Sequence, residues 1–323
     1  MKKMVTASIV AIGLLSLAAC GKTASSGASS NEMKKIGVLQ VVQHESLDAA
    51  YKGFKEGLKE GGYTEGKNIT FDYQNAQNNQ DNLKSMSEKL VKEKPDLLLG
   101  IATPSAQSLA NETQDIPIVI TAVTDPVAAK LAKTEKKPGG NITGTTDMVP
   151  IAKQIDLLLS IVPKAKTIGI MYNAGESNSK IQADLAEKAL KKAGVAVKVL
   201  TANTTNDVQQ VTTSLAKDVD GIYVPTDNTF ASAATIVGEV AKETKTPIVA
   251  GSVEQVEQGG LATYGIDYEA LGKQTGLMAA KILDGDAKPR TTAIESAKDL
   301  KLTINKDMAK ALDIDPISIK LPE

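Results

Sequence analysis

The sequence contains no tryptophan, one cysteine, one histidine and one arginine, and aromatic residues make up only 3% of it. Each scarcity removes a class of function. A lone Cys20 can form no internal disulfide, and no cluster of histidine with acids has metal-ligand spacing, so neither a disulfide scaffold nor a metal centre is indicated. Neither the phosphate-cradling pattern Gly-x-x-x-x-Gly-Lys-Ser/Thr nor the dinucleotide fingerprint Gly-x-Gly-x-x-Gly occurs, and the nucleophile elbow Gly-x-Ser-x-Gly is also missing. His44 therefore has no nucleophile beside it to activate and is expected to cap a helix or line a cleft, with no catalytic residue and no cofactor assigned. With 37 basic against 38 acidic residues the net charge is −1, which gives no electrostatic case for nucleic acid.

What is present is a chain of 323 residues, 42% hydrophobic, long enough for about two domains with ample core. Residues 1–20 stand apart. Lys2 and Lys3 precede an apolar stretch from Met4 to Ala19, the pattern of a secretory signal, and the stretch ends on Leu17-Ala18-Ala19-Cys20. That ending resembles the bacterial lipobox, in which the cysteine is lipidated and becomes the first mature residue; the alternative is an ordinary signal with an incidental cysteine. Residues 21–33 are rich in Gly, Ser and Ala and suit a flexible tether.

From Lys34 onward apolar runs of strand length alternate with stretches of helical period, the pattern of parallel sheets covered on both faces. The segment Thr167 to Lys180 shows the unit: a short apolar run, a polar turn around Gly175, then a helix beginning near Ser177, where free N–H groups and the helix dipole can receive a small anion. The simpler reading is that Ser177 or Asn178 only caps the helix. The layout recurs. Lys35 to Gln40 echoes Thr167 to Tyr172, Glu60-Gly61-Gly62 echoes Lys192-Ala193-Gly194, and Ile116-Pro117-Ile118 echoes Thr246-Pro247-Ile248, at a separation of about 130 residues, too long for a solenoid period. Either one domain is duplicated or two unrelated α/β domains share a pattern.

Ligands of open α/β sheets sit beyond the carboxyl ends of the strands. This singles out Gln43 with His44, Thr103 and Ser105, and Thr124-Asp125-Pro126 in the first copy. In the second it singles out Tyr172 to Ser179, Thr226-Asp227-Asn228 and Gly251 to Glu254. Turn chemistry alone explains each such loop, but six polar loops at equivalent points of two lobes would converge on one cleft.

These blocks together resemble a known family. The lipobox, Gln43-His44 with Leu47-Asp48, Ala102-Thr103-Pro104-Ser105-Ala106, Thr124-Asp125-Pro126, Asn173 to Ser179, Pro225 to Asn228 and Tyr264-Gly265-Ile266-Asp267-Tyr268 resemble the ABC transporter substrate-binding lipoproteins of the tryptophan/tyrosine type. The one departure is Glu45, where proline is expected after the histidine. The resemblance implies an α/β fold of two doubly wound parallel-sheet lobes joined by a hinge, like a type I periplasmic-binding protein. The expected division is 34–145 plus 269–290 for the first lobe and 146–268 plus 291–323 for the second, with chain passages near 144–149, 263–268 and 290–295. It also implies a monomer on the outer face of the cell membrane, held by lipid on Cys20, that delivers an aromatic amino acid to a permease driven by a cytoplasmic ATPase. Ala106 and Asp267 join the candidate ligand-binding residues through it.

An amino acid zwitterion needs an acceptor for its ammonium and donors for its carboxylate. Asp227, with Asp125 second, is expected to take the ammonium; Thr103, Ser105 and the N–H groups around Ser177, Asn178 and Ser179 are expected to hold the carboxylate, since Arg290 lies in a late segment away from the cleft loops. Tyr172 or the aliphatic Val42, Pro104 and Val127 could pack on the ligand's side chain. A sensory receptor module of the same fold, a binder of another small polar solute and a secreted α/β enzyme are the competing readings. The enzyme lacks a convincing base.

Overall fold

The computed structural model describes residues 33–298 and 300–322. The proposed signal, the tether up to Glu32 and the lipidation site Cys20 lie outside these described residues.

The first half runs β1 (Lys34–Gln40), α1 (Glu45–Glu60), β2 (Ile69–Asn75), α2 (Gln80–Lys92), β3 (Leu97–Ile101), α3 (Thr103–Glu112), β4 (Ile118–Val123) and β5 (Ile142–Thr146). After a passage at residues 147–150 the pattern repeats: α4 (Ile151–Ile161), β6 (Thr167–Asn173), α5 (Ser177–Lys192), β7 (Ala196–Ala202), α6 (Thr205–Ala216), β8 (Gly221–Val224), α7 (Asn228–Ser232), α8 (Ala234–Thr244), β9 (Ile248–Ala250), α9 (Val253–Gln258) and β10 (Ala262–Ile266). The remainder is α10 (Tyr268–Leu283), β11 (Glu295–Ser296), β12 (Leu300–Ile304) and α11 (Lys306–Ala311).

Two six-stranded sheets result, ordered β11-β5-β4-β3-β1-β2 and β12-β10-β9-β8-β6-β7. Setting the outer strands β11 and β12 aside, the two orders are the same, which is the geometry a duplicated domain gives. All pairings are parallel except β10 with β12. The central strands carry apolar side chains on both faces because helices cover both; every residue of β3 and β4 is buried.

One helix pair ties the chain's return to the first lobe. Along α1 and α10 the backbones meet over Gly53, Gly57, Gly272 and Gly276; a Cβ on Gly53 would stand 1.9 Å from the Glu269 carbonyl oxygen, and one on Gly272 1.9 Å from that of Ala50. Only residues without a Cβ permit this approach.

The passages between sheets fall after β5, at Asp147, and between β10 and α10, at Asp267. The third falls later than the sequence suggested. Ile294 N–H donates to the Glu135 carbonyl at 2.8 Å and Glu295–Ser296 pair with Thr145–Thr146, so the chain stays with the first sheet through Ser296 and crosses only then. The segment is too short and polar for its strand to show as a hydrophobic period.

Candidate functional site

Parallel strands in both lobes end on the side where their loops meet, and the two sets of loops touch. Ser46 and Ser252 hydroxyls lie 3.3 Å apart, the Asn78 amide donates to Thr229 Oγ1 at 3.3 Å, and the Gln182 amide donates to Thr124 Oγ1 at 3.3 Å. Each joins the first lobe to the second, so the cleft is closed. It encloses a space of only about 10 Å³, room for little more than one water. His44, Ser46 and Ala122 line it from the first lobe, Asn178, residues 226–228, Ala231 and Gln255 from the second, and Asp147 and Tyr268 from the passages. No lysine or arginine is among the lining residues. The backbone is strained in its wall, where Ala122 holds a φ of 56°, in the left-handed region a non-glycine residue seldom enters.

Asp147 is the chemical centre of this cavity. It is 2% exposed, its Oδ2 accepts from the Tyr268 hydroxyl, and its Oδ1 has no partner. Burial raises its pKa, against the Tyr268 and Thr124 hydrogen bonds that favour the charged form. Two more buried acceptors are equally unengaged and line the same space, Asn178 Oδ1 and Gln255 Oε1. The His44 imidazole nitrogens are also buried and unpartnered; burial lowers the ring's pKa to about 4, with Asn228 and Asp48 acting the other way, so the ring is neutral at physiological pH.

A second carboxylate organises the wall. Glu176 Oε1 accepts from Thr229 N–H (3.1 Å) and Thr229 Oγ1 (3.0 Å), and its Oε2 from Asn228 N–H (3.0 Å) and the Asn228 and Asn178 amides. It thereby clamps the start of α7 beside the start of α5. Asp227 shares this work: Oδ2 accepts from Asn173 N–H at 2.7 Å and Oδ1 from Phe230 N–H at 2.8 Å, capping α7. Burial, then the Glu176 charge, push Asp227 up to about 7.

Of the residues singled out from sequence, His44, Asn178, Thr226, Asp227 and Asn228 line the cavity. Both oxygens of Asp227 accept from main-chain groups, whereas Asp147 keeps one oxygen without a hydrogen-bond partner. Asp125 is spent in a turn, accepting from Val127 and Ala128 N–H, with Pro126 buried beside it. Thr103 and Ser105 stand buried at the start of α3 with hydroxyls unpartnered, and Ala106 packs on Gly100. Thr124 receives the cross-lobe bond from Gln182, and Ser179 accepts from the Asn178 amide at 3.2 Å. The others stay outside the lining. Gln43 is exposed and donates to Asp48, Ser177 is exposed, Tyr172 is half-buried opposite Thr201, and Asp267 caps α10 and pairs with Lys301.

Asp147, Glu176, Gln255 and Tyr268 were not identified as site residues from the sequence. Asp147 follows β5 and could have been found by inspecting that strand end with the rest. Glu176 and Tyr268 lay inside quoted motifs but their side-chain aim is a tertiary fact. Among the described residues no group of His, Cys, Asp and Glu could hold a metal ion.

A family model described as ABC transporter substrate binding protein matches residues 35–318. The chain belongs to that family. Its members are binding proteins, not enzymes. The tyrosine-binding protein of Clostridioides difficile is 44% identical over 317 residues, 95% of this chain and 91% of that one. A crystal structure of an ABC domain in complex with L-Trp from Streptococcus pneumonia is 41% identical, with a TM-score of 0.83 over 90% of this chain and 97% of that one. The ligand-free, open structure of a substrate binding protein with adhesive properties from Clostridium difficile is 46% identical, yet its TM-score is 0.68 over 88% and 96%. A lower score at higher identity is what a different lobe opening produces, and the cross-lobe hydrogen bonds show that this family member is in the closed arrangement. The two parallel-sheet lobes give it the type I periplasmic-binding-protein-like fold.

Proposed function

We propose that this substrate-binding protein is the extracytoplasmic lipoprotein of an ABC importer, taking up tryptophan, tyrosine or phenylalanine as a monomer by closing its two lobes, with no bond made or broken. The observation that carries the reading is the trio of buried, unengaged acceptors in one cavity without a cation: Asp147 Oδ1, Asn178 Oδ1 and Gln255 Oε1. An ammonium offers three N–H donors and the missing positive charge. The unpartnered hydroxyls of Thr103 and Ser105, at the positive end of α3, are the donors proposed for the carboxylate. Ala122 and Ala231 put only methyl groups on the cavity wall, and the aromatic nature of the ligand is supported by the tyrosine-binding relative and the tryptophan complex.

Lobe closure follows because a ligand touching both lobes has extra affinity for the closed state. Release to the permease and its ATPase is then opening of the same hinge. Attachment through Cys20 keeps the binding protein beside the permease. Calorimetric titration with each of the twenty amino acids tests the ligand: binding confined to aromatic amino acids is expected, and no heat and no thermal shift with any of them would remove the reading. Cys20→Ala should free the protein from the membrane fraction.

A further inference from the structure

Asp147 stands in the first chain passage between the sheets and Tyr268 opens α10 directly after the second. Their side chains meet. The Tyr268 hydroxyl donates to Asp147 Oδ2, which turns Oδ1, unpartnered, into the cavity. Tyr268 itself is fixed at both ends: it is 3% exposed, and its N–H donates to Glu254 Oε1 at 2.9 Å. The carboxylate that meets the ligand is thus held by a residue of the other passage, not by a neighbour in its own strand.

We propose that Tyr268 is the positioning residue that keeps Asp147 an acceptor aimed at the ligand's ammonium, so that the bound amine is read where two interlobe passages are joined. This rests on the amino acid reading above. The groups facing Asp147 are Tyr268 from α10, Thr124 from the end of β4, His44 from the start of α1 and Asp227 from the start of α7, with Glu254 of α9 and Glu176 behind them. His44 is neutral above pH 5, and no lysine or arginine lines the cavity. Losing the hydroxyl therefore removes the hydrogen bond that Oδ2 accepts, and nothing cationic replaces it. The pH at which Asp147 takes up a proton should rise, and with it the pH at which the ammonium loses its partner.

The experiment uses the full chain, wild type and Tyr268→Phe, with two readouts. One is the carboxyl carbon chemical shift of Asp147 without ligand, assigned by its loss in Asp147→Asn and followed from pH 4 to 9. The other is calorimetric affinity for L-tryptophan and L-tyrosine at pH 6 and pH 8. A hydrogen bond to a charged acceptor predicts a midpoint higher by about one pH unit in Tyr268→Phe, and an affinity loss of about tenfold at pH 6 that shrinks at pH 8. In an Asp147→Asn background the Tyr268→Phe change should cost little more. An unmoved midpoint, or a loss of the same size at both pH values, would overturn the proposal and leave Tyr268 as packing. A shifted midpoint in a protein that binds neither amino acid would sustain the positioning role and overturn the ligand assignment instead.

Discussion

Asp147→Asn should push two observables in opposite directions. In the closed cavity Oδ1 is buried without a partner, and Asn puts either a neutral oxygen or an amide donor where the charged acceptor was. If that oxygen meets an ammonium, removing its charge leaves the cation buried and uncompensated. Breaking such a pair costs about 3–5 kcal/mol, a loss of roughly 100-fold to several thousand-fold in affinity. The ligand-free protein responds the other way. Closing empty buries an unpaired carboxylate at a cost of about 1–3 kcal/mol, a bias toward the open state that Asn relieves. Because burial raises the Asp147 pKa, that bias is present at neutral pH and fades as acid protonates the group. Calorimetry on aromatic amino acids gives the first quantity, and small-angle scattering of the ligand-free protein the second. The variant should bind far more weakly yet be more compact when empty. Affinity within about threefold of wild type, less than 1 kcal/mol, would refute the reasoning.

Three further outcomes are expected. Glu176→Ala strands Asn228 N–H, Thr229 N–H and the side-chain donors now on that carboxylate, and should cost about 3 kcal/mol, lowering Tm by roughly 6–10 °C in scanning calorimetry. Gly272→Ala places a methyl 1.9 Å from the Ala50 carbonyl and must part α1 from α10, at about 3 kcal/mol by denaturant titration, whereas Gly140→Ala, with nothing within 4 Å, should stay within about 0.5 kcal/mol. Burial pushes Glu254 up to about 7, above its ordinary 4.5, so the closed form takes up a proton there. Its contribution is complete below the ordinary value and lost as pH rises through 7; scattering should show the ligand-free protein closing on going from pH 8 to 5.5, and Glu254→Gln should flatten that dependence.

The repeating order of strands and helices was legible because burial on both faces writes long apolar runs such as Leu97–Ile101, and because helix starts carry caps such as Asn79, Ser252 and Asp267. At the site, Asp227 and Asp125 stand at strand ends as the sequence suggests, and each also accepts from main-chain N–H groups two or three residues ahead, Asp125 closing a turn and Asp227 capping α7. The short polar β11 carried no period and displaced the third passage.

By itself, then, the sequence determined two α/β halves of one pattern, with loops clustered at the strand ends and no phosphate-loop, dinucleotide or nucleophile-elbow motif, because these follow from local periodicity and residue order. Which acid is left with an unengaged oxygen was decided by tertiary structure alone. Asp147, Asn178, Gln255 and Tyr268 are far apart in the chain, and only the meeting of two lobes and two interlobe passages leaves one carboxyl oxygen buried and without a partner.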